Sequence, residues 1–207
     1  MGRNENLVES ASRKLVDGFY SDKKQEEKAV LQYGLSALLS TIIGFVVIGV
    51  VSGLLGIFKL AMTATLVSGV IRLFAGGVHS STYKQCVTTG GIVFTGLGLI
   101  TQQLGSLLSN RGTILLVWLV FIGGGSLIYR YAPAGVKEKP IKSKDKQRKL
   151  RVYSFIIFFI ITTVALMLLS FEVNKLIALA MLLGAIWELF TITPIAYRLF
   201  RREYIRR

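Results

Sequence analysis

Polar and apolar positions divide the chain into a polar head followed by long apolar runs. The first 34 residues carry six basic and six acidic side chains. Within them Leu7, Ala11, Leu15 and Phe19 recur every fourth residue, with Val8 and Val16 alongside. Glu5, Glu9, Arg13, Lys14 and Asp17 fall largely elsewhere on that wheel. This periodicity predicts an amphipathic helix lying on a membrane surface, or packed on its own protein. A cleavable signal needs a short apolar core near the start, and that is absent here.

Apolar segments follow at 34–58, 60–78, 87–109, 113–132, 152–171 and 176–197. About 20 residues of helix cross a hydrocarbon core about 30 Å thick. The expectation is an all-α integral membrane protein of about six transmembrane helices with an N-terminal amphipathic interfacial helix. The chain divides accordingly into 1–33, a membrane domain at 34–197 and a basic tail at 198–207. The second segment is interrupted by Arg72, which lies close enough to one end to reach the interface by snorkelling. Glycines at 44, 49, 53, 56, 90, 91, 96, 98 and 105 predict close helix packing. Gly123, Gly124 and Gly125 are expected to loosen or kink the fourth span.

Composition agrees with the pattern. Hydrophobic residues make up 52% and charged residues 17%, against about 25% charged in a soluble domain. Mean hydropathy is +0.57. Disorder, a collagen repeat and a disulfide scaffold are excluded, and continuous rather than alternating apolar runs argue against a β-barrel. The net charge is +14 with His neutral. Because the basic residues sit between apolar spans, we assign them to membrane orientation and not to nucleic acid.

The distribution of charge orders the spans. The 133–151 connection carries Lys137, Lys139, Lys142, Lys144, Lys146, Arg148, Lys149 and Arg151, and the C-terminus carries Arg198, Arg201, Arg202, Arg206 and Arg207. Six crossings with the N-terminus inside place both clusters in the cytoplasm, together with the 72–86 connection. Were 60–78 only a re-entrant loop, the 133–151 connection would face outside. The basic run is expected to bind anionic lipid.

Candidate chemistry is concentrated in Arg72-Leu-Phe-Ala-Gly76-Gly77-Val-His79-Ser-Ser-Thr-Tyr-Lys84-Gln-Cys86. It holds the single His and the single Cys of the chain. One thiol and one imidazole exclude a disulfide and a multi-histidine metal site, and no metal or cofactor is expected. They suit a nucleophile and its base. Cys86 is expected at the start of the third span, where a helix N-terminus and neighbouring Lys84 favour a thiolate. On one straight helix, side chains seven residues apart stand about 10.5 Å apart along the axis, too far for direct proton transfer. The chain must therefore bend between them if they work together. Gly76-Gly77 and Ser80-Ser81-Thr82 offer breaks. Either glycine can also turn amide groups toward an oxyanion, or simply end a helix. Glu188 is the only acid well inside a span. It can orient His79, pair with Arg72 or face a protein interior.

The pattern Arg-x4-Gly-x-His-x6-Cys, behind a short apolar span in a basic chain of this length, resembles the accessory gene regulator B family. These are Gram-positive membrane cysteine endopeptidases of quorum sensing. The motif covers Arg72 to Cys86, and the span number and basic connection extend the likeness over most of the chain. The resemblance implies Cys86 as nucleophile and His79 as base, with Arg72 and Gly77 at the other motif positions. It implies an AgrD-type propeptide as partner, whose C-terminal tail is removed to leave a thiolactone or lactone. Such propeptides tend to have acidic tails, so the basic run would also hold substrate. A homodimer is compatible with the likeness. The competing readings are a small transporter or peptide exporter, which would want more ionisable residues deep in the spans, and a non-enzymatic adaptor, which gives no role to 72–86.

Overall fold

The computed structural model describes residues 7–20, 24–78, 83–135 and 143–200. These form eight helices: α1 (Leu7–Phe19), α2 (Gln25–Leu54), α3 (Phe58–Ala75), α4 (Tyr83–Leu107), α5 (Asn110–Tyr131), α6 (Lys144–Ser170), α7 (Lys175–Thr191) and the short α8 (Pro194–Leu199). Among the described residues the one extended pairing is an isolated parallel bridge between Gly76 and Ala134. Among the described residues four helices are long and apolar enough to cross a membrane: α2 (over Glu27–Leu54), α3, α5 and α6. The protein is all-helical and of membrane type.

Local chemistry sets the helix boundaries. Ser109, Ser143, Asn174 and Thr193 each accept a hydrogen bond from an amide three residues on, capping α5, α6, α7 and α8. Two expectations are corrected by such caps. The 176–197 segment is not one helix. Thr193 caps a new helix with Pro194 in its first turn, and proline there has no N–H to continue α7. The 133–151 connection is not a loop throughout. The Ser143 cap starts α6 at Lys144, so Lys144, Lys146, Arg148 and Lys149 stand exposed on its first turns.

Glycines 123–125 do not interrupt α5, which is continuous from Asn110 to Tyr131. Gly124 instead makes room for neighbours, since a Cβ there would lie 2.5 Å from Phe158 Cζ and 2.7 Å from Leu189 Cδ1.

The centre of the bundle is α7, which packs against α3, α4, α5 and α6. Its Ala178, Leu179, Leu182, Ala185 and Glu188 are inaccessible to solvent. The apolar core joins it to Ile71 and Ala75 of α3, Val117 and Ile128 of α5, and Phe158 and Leu169 of α6. By contrast, Ile42, Val46, Val50 and Leu54 of α2 are exposed, as suits a helix facing hydrocarbon.

The inner face of α1 differs from the apolar stripe of the sequence. Val8, Ser12 and Val16 are buried where α1 packs on α2. The Ser12 and Ser36 hydroxyls lie 2.6 Å apart, and Lys28 pairs with Asp17 at 3.6 Å. Leu15 and Phe19, from the predicted apolar stripe, stay exposed.

The contact register shows that α3 and α7 run parallel. Gly184 sits against the backbone of Ala64, where a Cβ would come within 2.8 Å of its Cα. One turn on, Ser68 meets Glu188, and beyond that Arg72 reaches Glu188. The C-terminal ends of α3, α5 and α7 and the N-terminal end of α6 thus gather at one end of the bundle. There Ala134 donates to Ala75 O and Val78 donates to Thr191 O, while Arg151 Nε donates to Ala132 O at 2.7 Å. The opposite end gathers α4, α5, α6 and α7 through Lys175 Nζ donating to Leu108 O and Asn110 Nδ2 donating to Leu169 O.

Candidate functional site

The chain breaks where the two glycines predict. α3 ends at Ala75, Gly76 follows at φ 72° and Gly77 at φ 141°, a region where a side chain is strained. Both positions are also too crowded for one. A Cβ on Gly76 would collide with the carbonyl oxygen of Ala134. A Cβ on Gly77 would lie 2.6 Å from Thr191 Oγ1, 3.0 Å from Glu188 Oε1 and 3.2 Å from Arg72 Nη2.

Beneath Gly77 lies a buried polar network. Glu188 is inaccessible to solvent. Its Oε2 accepts from the Ser68 hydroxyl at 2.8 Å, and its Oε1 lies 2.9 Å from the Thr191 hydroxyl. Arg72 Nε faces the same Oε1 at 3.3 Å, an ion pair in which this N–H is not aligned as a hydrogen bond. Arg72 Nη2 donates to the Val78 carbonyl at 2.7 Å, and the Val78 amide donates to Thr191 O at 3.1 Å. Both peptide groups of Val78 are therefore held, one through Arg72 and the other through Thr191. The Gly76 amide donates to Arg72 O, so it closes α3.

Of the options open to Glu188 in the sequence, it both pairs with Arg72 and faces the protein interior, while His79 lies outside the described residues. Burying an isolated carboxylate is prohibitive, and the pairing with hydroxyl support is what permits it. Sequence reasoning passed over Ser68 and Thr191. The available signal was their spacing, with Ser68 four residues before Arg72 and Thr191 three after Glu188, on one face of each helix.

Cys86 lies in the first turn of α4 and is exposed as a free thiol. Lys84, in the same turn, is also exposed. Arg72, Gly77 and Glu188 are thus brought into contact, while Gly76 packs on Ala134. His79, Lys137, Lys139 and Lys142 lie outside the described residues. The chain leading to that basic segment is anchored at the same end of the bundle. The Tyr197 hydroxyl, on a fully buried ring, donates to Gly135 O at 3.2 Å. Among the described residues no three His, Cys, Asp or Glu side chains converge as a metal site would require.

Comparison with known proteins extends over nearly the whole chain. The chain is 27% identical over 198 residues to an AgrB-like protein of Clostridium perfringens, covering 92% of each. It is 24% identical over 183 residues to one from Listeria monocytogenes, covering 87% of this chain and 85% of that one. It is 27% identical over 167 residues to accessory gene regulator protein B of Staphylococcus aureus, covering 81% and 83%. No solved structure matches. Residues 12–192 match the family described as Accessory gene regulator B, and the chain belongs to that family.

Proposed function

We propose that this protein is a membrane-embedded cysteine endopeptidase of an accessory gene regulator system. It cleaves the C-terminal tail from a short AgrD-type propeptide through an acyl-thioester on Cys86. The observation that carries this reading is the placement of Cys86. The only thiol of the chain is exposed in the first turn of a long helix, seven residues after the only His. Helix amides and Lys84 favour negative charge there.

In this reading the Cys86 proton passes to His79 and the sulfur attacks the scissile carbonyl. The S–C bond forms, the C–N bond breaks, and His79 returns the proton to the leaving amine. A Cys or Ser side chain of the propeptide then displaces Cys86 and closes a thiolactone or lactone. Water must be kept out, since hydrolysis gives a linear product. Gly77 and Arg72 support the turn before His79. Lys144, Lys146, Arg148 and Lys149, with Lys137, Lys139 and Lys142, attract the acidic propeptide tail and anionic lipid.

Six crossings with both termini and the site on the cytoplasmic side fit the arrangement. The parallel course of α3 and α7 requires an even number of direction reversals between them, and crossings by α4, α5 and α6 give four. The exposed Leu15 and Phe19 suit α1 to an interfacial position.

The test is cleavage of synthetic propeptide by full-length protein in lipid vesicles. Cys86→Ala and His79→Ala are expected to bind propeptide without cutting it, and Cys86→Ser to be severely impaired. Cleavage by Cys86→Ala at the wild-type rate would end the assignment of Cys86 as nucleophile and with it the cysteine-peptidase reading.

A further inference from the structure

We infer that Glu188 is a positioning residue, acting through Arg72 on the Val78 carbonyl to set the peptide plane that enters residue 79. The inference rests on the peptidase reading for what residue 79 does. The path is contiguous: Ser68 and Thr191 hydroxyls at the two Glu188 oxygens, Glu188 Oε1 at 3.3 Å from Arg72 Nε, and Arg72 Nη2 on Val78 O at 2.7 Å.

Three features set this arrangement apart from ordinary core packing. First, a fully buried carboxylate is placed where an apolar residue would serve stability as well or better, with the partly exposed Arg72 as its cation. An acid inside an apolar segment is costly, and such residues are retained for function. Second, the network ends on the backbone. A peptide unit is planar, so holding Val78 O holds the plane leading onward, and Thr191 O on the Val78 amide fixes the plane before it. Third, a Cβ on Gly77 would meet three members of the network at once, at 2.6 Å from Thr191 Oγ1, 3.0 Å from Glu188 Oε1 and 3.2 Å from Arg72 Nη2. The turn passes directly over the network, and only a glycine leaves room for it there. Glu188 acts at a distance here because its oxygens are already engaged by Ser68, Thr191 and Arg72.

The experiment uses full-length protein in lipid vesicles with two readouts. One is the single-turnover rate of propeptide cleavage, measured with propeptide affinity. The other is the pH profile of Cys86 alkylation by iodoacetamide, which needs no propeptide. Glu188→Gln keeps the shape and loses the charge that holds Arg72. It is expected to slow cleavage by about 10²-fold, the scale of a small misplacement, with propeptide affinity within about twofold. Its alkylation profile should shift, because the base no longer meets the thiol in register.

Arg72→Lys is expected to lose a similar factor, since ammonium lacks the fork that spans Oε1 and Val78 O. The double variant is expected to be no worse than the worse single one, because both act on one carbonyl. Ser68→Ala with Thr191→Val, which keeps both charges, should lose about tenfold and serves if Glu188→Gln fails to insert. A Glu188→Gln protein with wild-type rate and wild-type alkylation profile would overturn the inference, as would losses that multiply in the double variant. If wild-type protein cuts no propeptide, the peptidase reading fails by itself. A shifted Cys86 profile in Glu188→Gln would then still report the positioning.

Discussion

The two ends of the helix bundle solve the same problem by different means. Each must satisfy the backbone groups left over where helices stop. At the end formed by α4, α5, α6 and α7, Lys175 donates to Leu108 O and Asn110 donates to Leu169 O. These are single, partly buried contacts. At the opposite end Val78 is held by Arg72 and Thr191, both of which converge on the buried Glu188. That end also carries two positive-φ glycines with no room for a side chain, unlike Gly56 at the other end, and leads directly into the segment with the only His and Cys. A simple solution suffices at one end. The interdependent one stands beside the segment proposed to carry the chemistry, and this division between scaffold and proposed site is what the comparison teaches.

The sharpest way to break the comparison is to ask which side of the membrane each end faces. In a Cys86→Ser background, a cysteine at position 142 should be labelled only from the cytoplasm and one at position 111 only from outside. Labelling of position 142 from outside intact cells would put the basic end on the wrong side.

Next in size is the glycine turn. Gly77→Ala is expected to abolish measurable cleavage, because its Cβ has no room and its φ is unfavourable. Vesicle assays of cleavage against a folded-protein control check this. Arg72→Ala leaves Glu188 buried without its cation, and a loss of about 3–5 kcal/mol in stability is expected, read from denaturation in detergent.

A smaller effect is predicted for Lys144, Lys146, Arg148 and Lys149 on α6. Neutralising all four should weaken propeptide binding most at low salt and leave the single-turnover rate of bound substrate nearly unchanged. A loss confined to the rate of the bound complex would contradict that. The smallest effect belongs to the far end. Lys175→Ala or Asn110→Ala should cost about 0.5–1.5 kcal/mol of stability without altering the chemical step. Cleavage lost at that end would blur the distinction between the two.

Much of this division is legible in the sequence, for definite reasons. Apolar runs longer than a soluble helix needs predict the spans, and Gly76-Gly77 predicts the end of α3. An acid alone in an apolar segment draws attention to Glu188. The rest depends on contacts distant in sequence. Ser68 and Thr191 are ordinary small polar residues until α3 and α7 are laid side by side. Likewise, nothing local says that Ala132 to Gly135 should pack beside Ala75 and Gly76, with Arg151 and Tyr197 holding their carbonyls. The end of α7 is different. Pro194, without an N–H, marks a helix start, yet it sits inside one apolar run that reads as a single span.

The central claim concerns a covalent bond to one sulfur, and mass spectrometry of the trapped intermediate tests it most directly. Full-length protein in vesicles is mixed with propeptide whose own ring-forming nucleophile has been replaced, and the reaction is quenched in acid. The account predicts an adduct of the trimmed propeptide on Cys86, released by hydroxylamine and absent from Cys86→Ala. Tail removal by wild-type protein with no adduct on Cys86, or an equal adduct on Cys86→Ala, would contradict it.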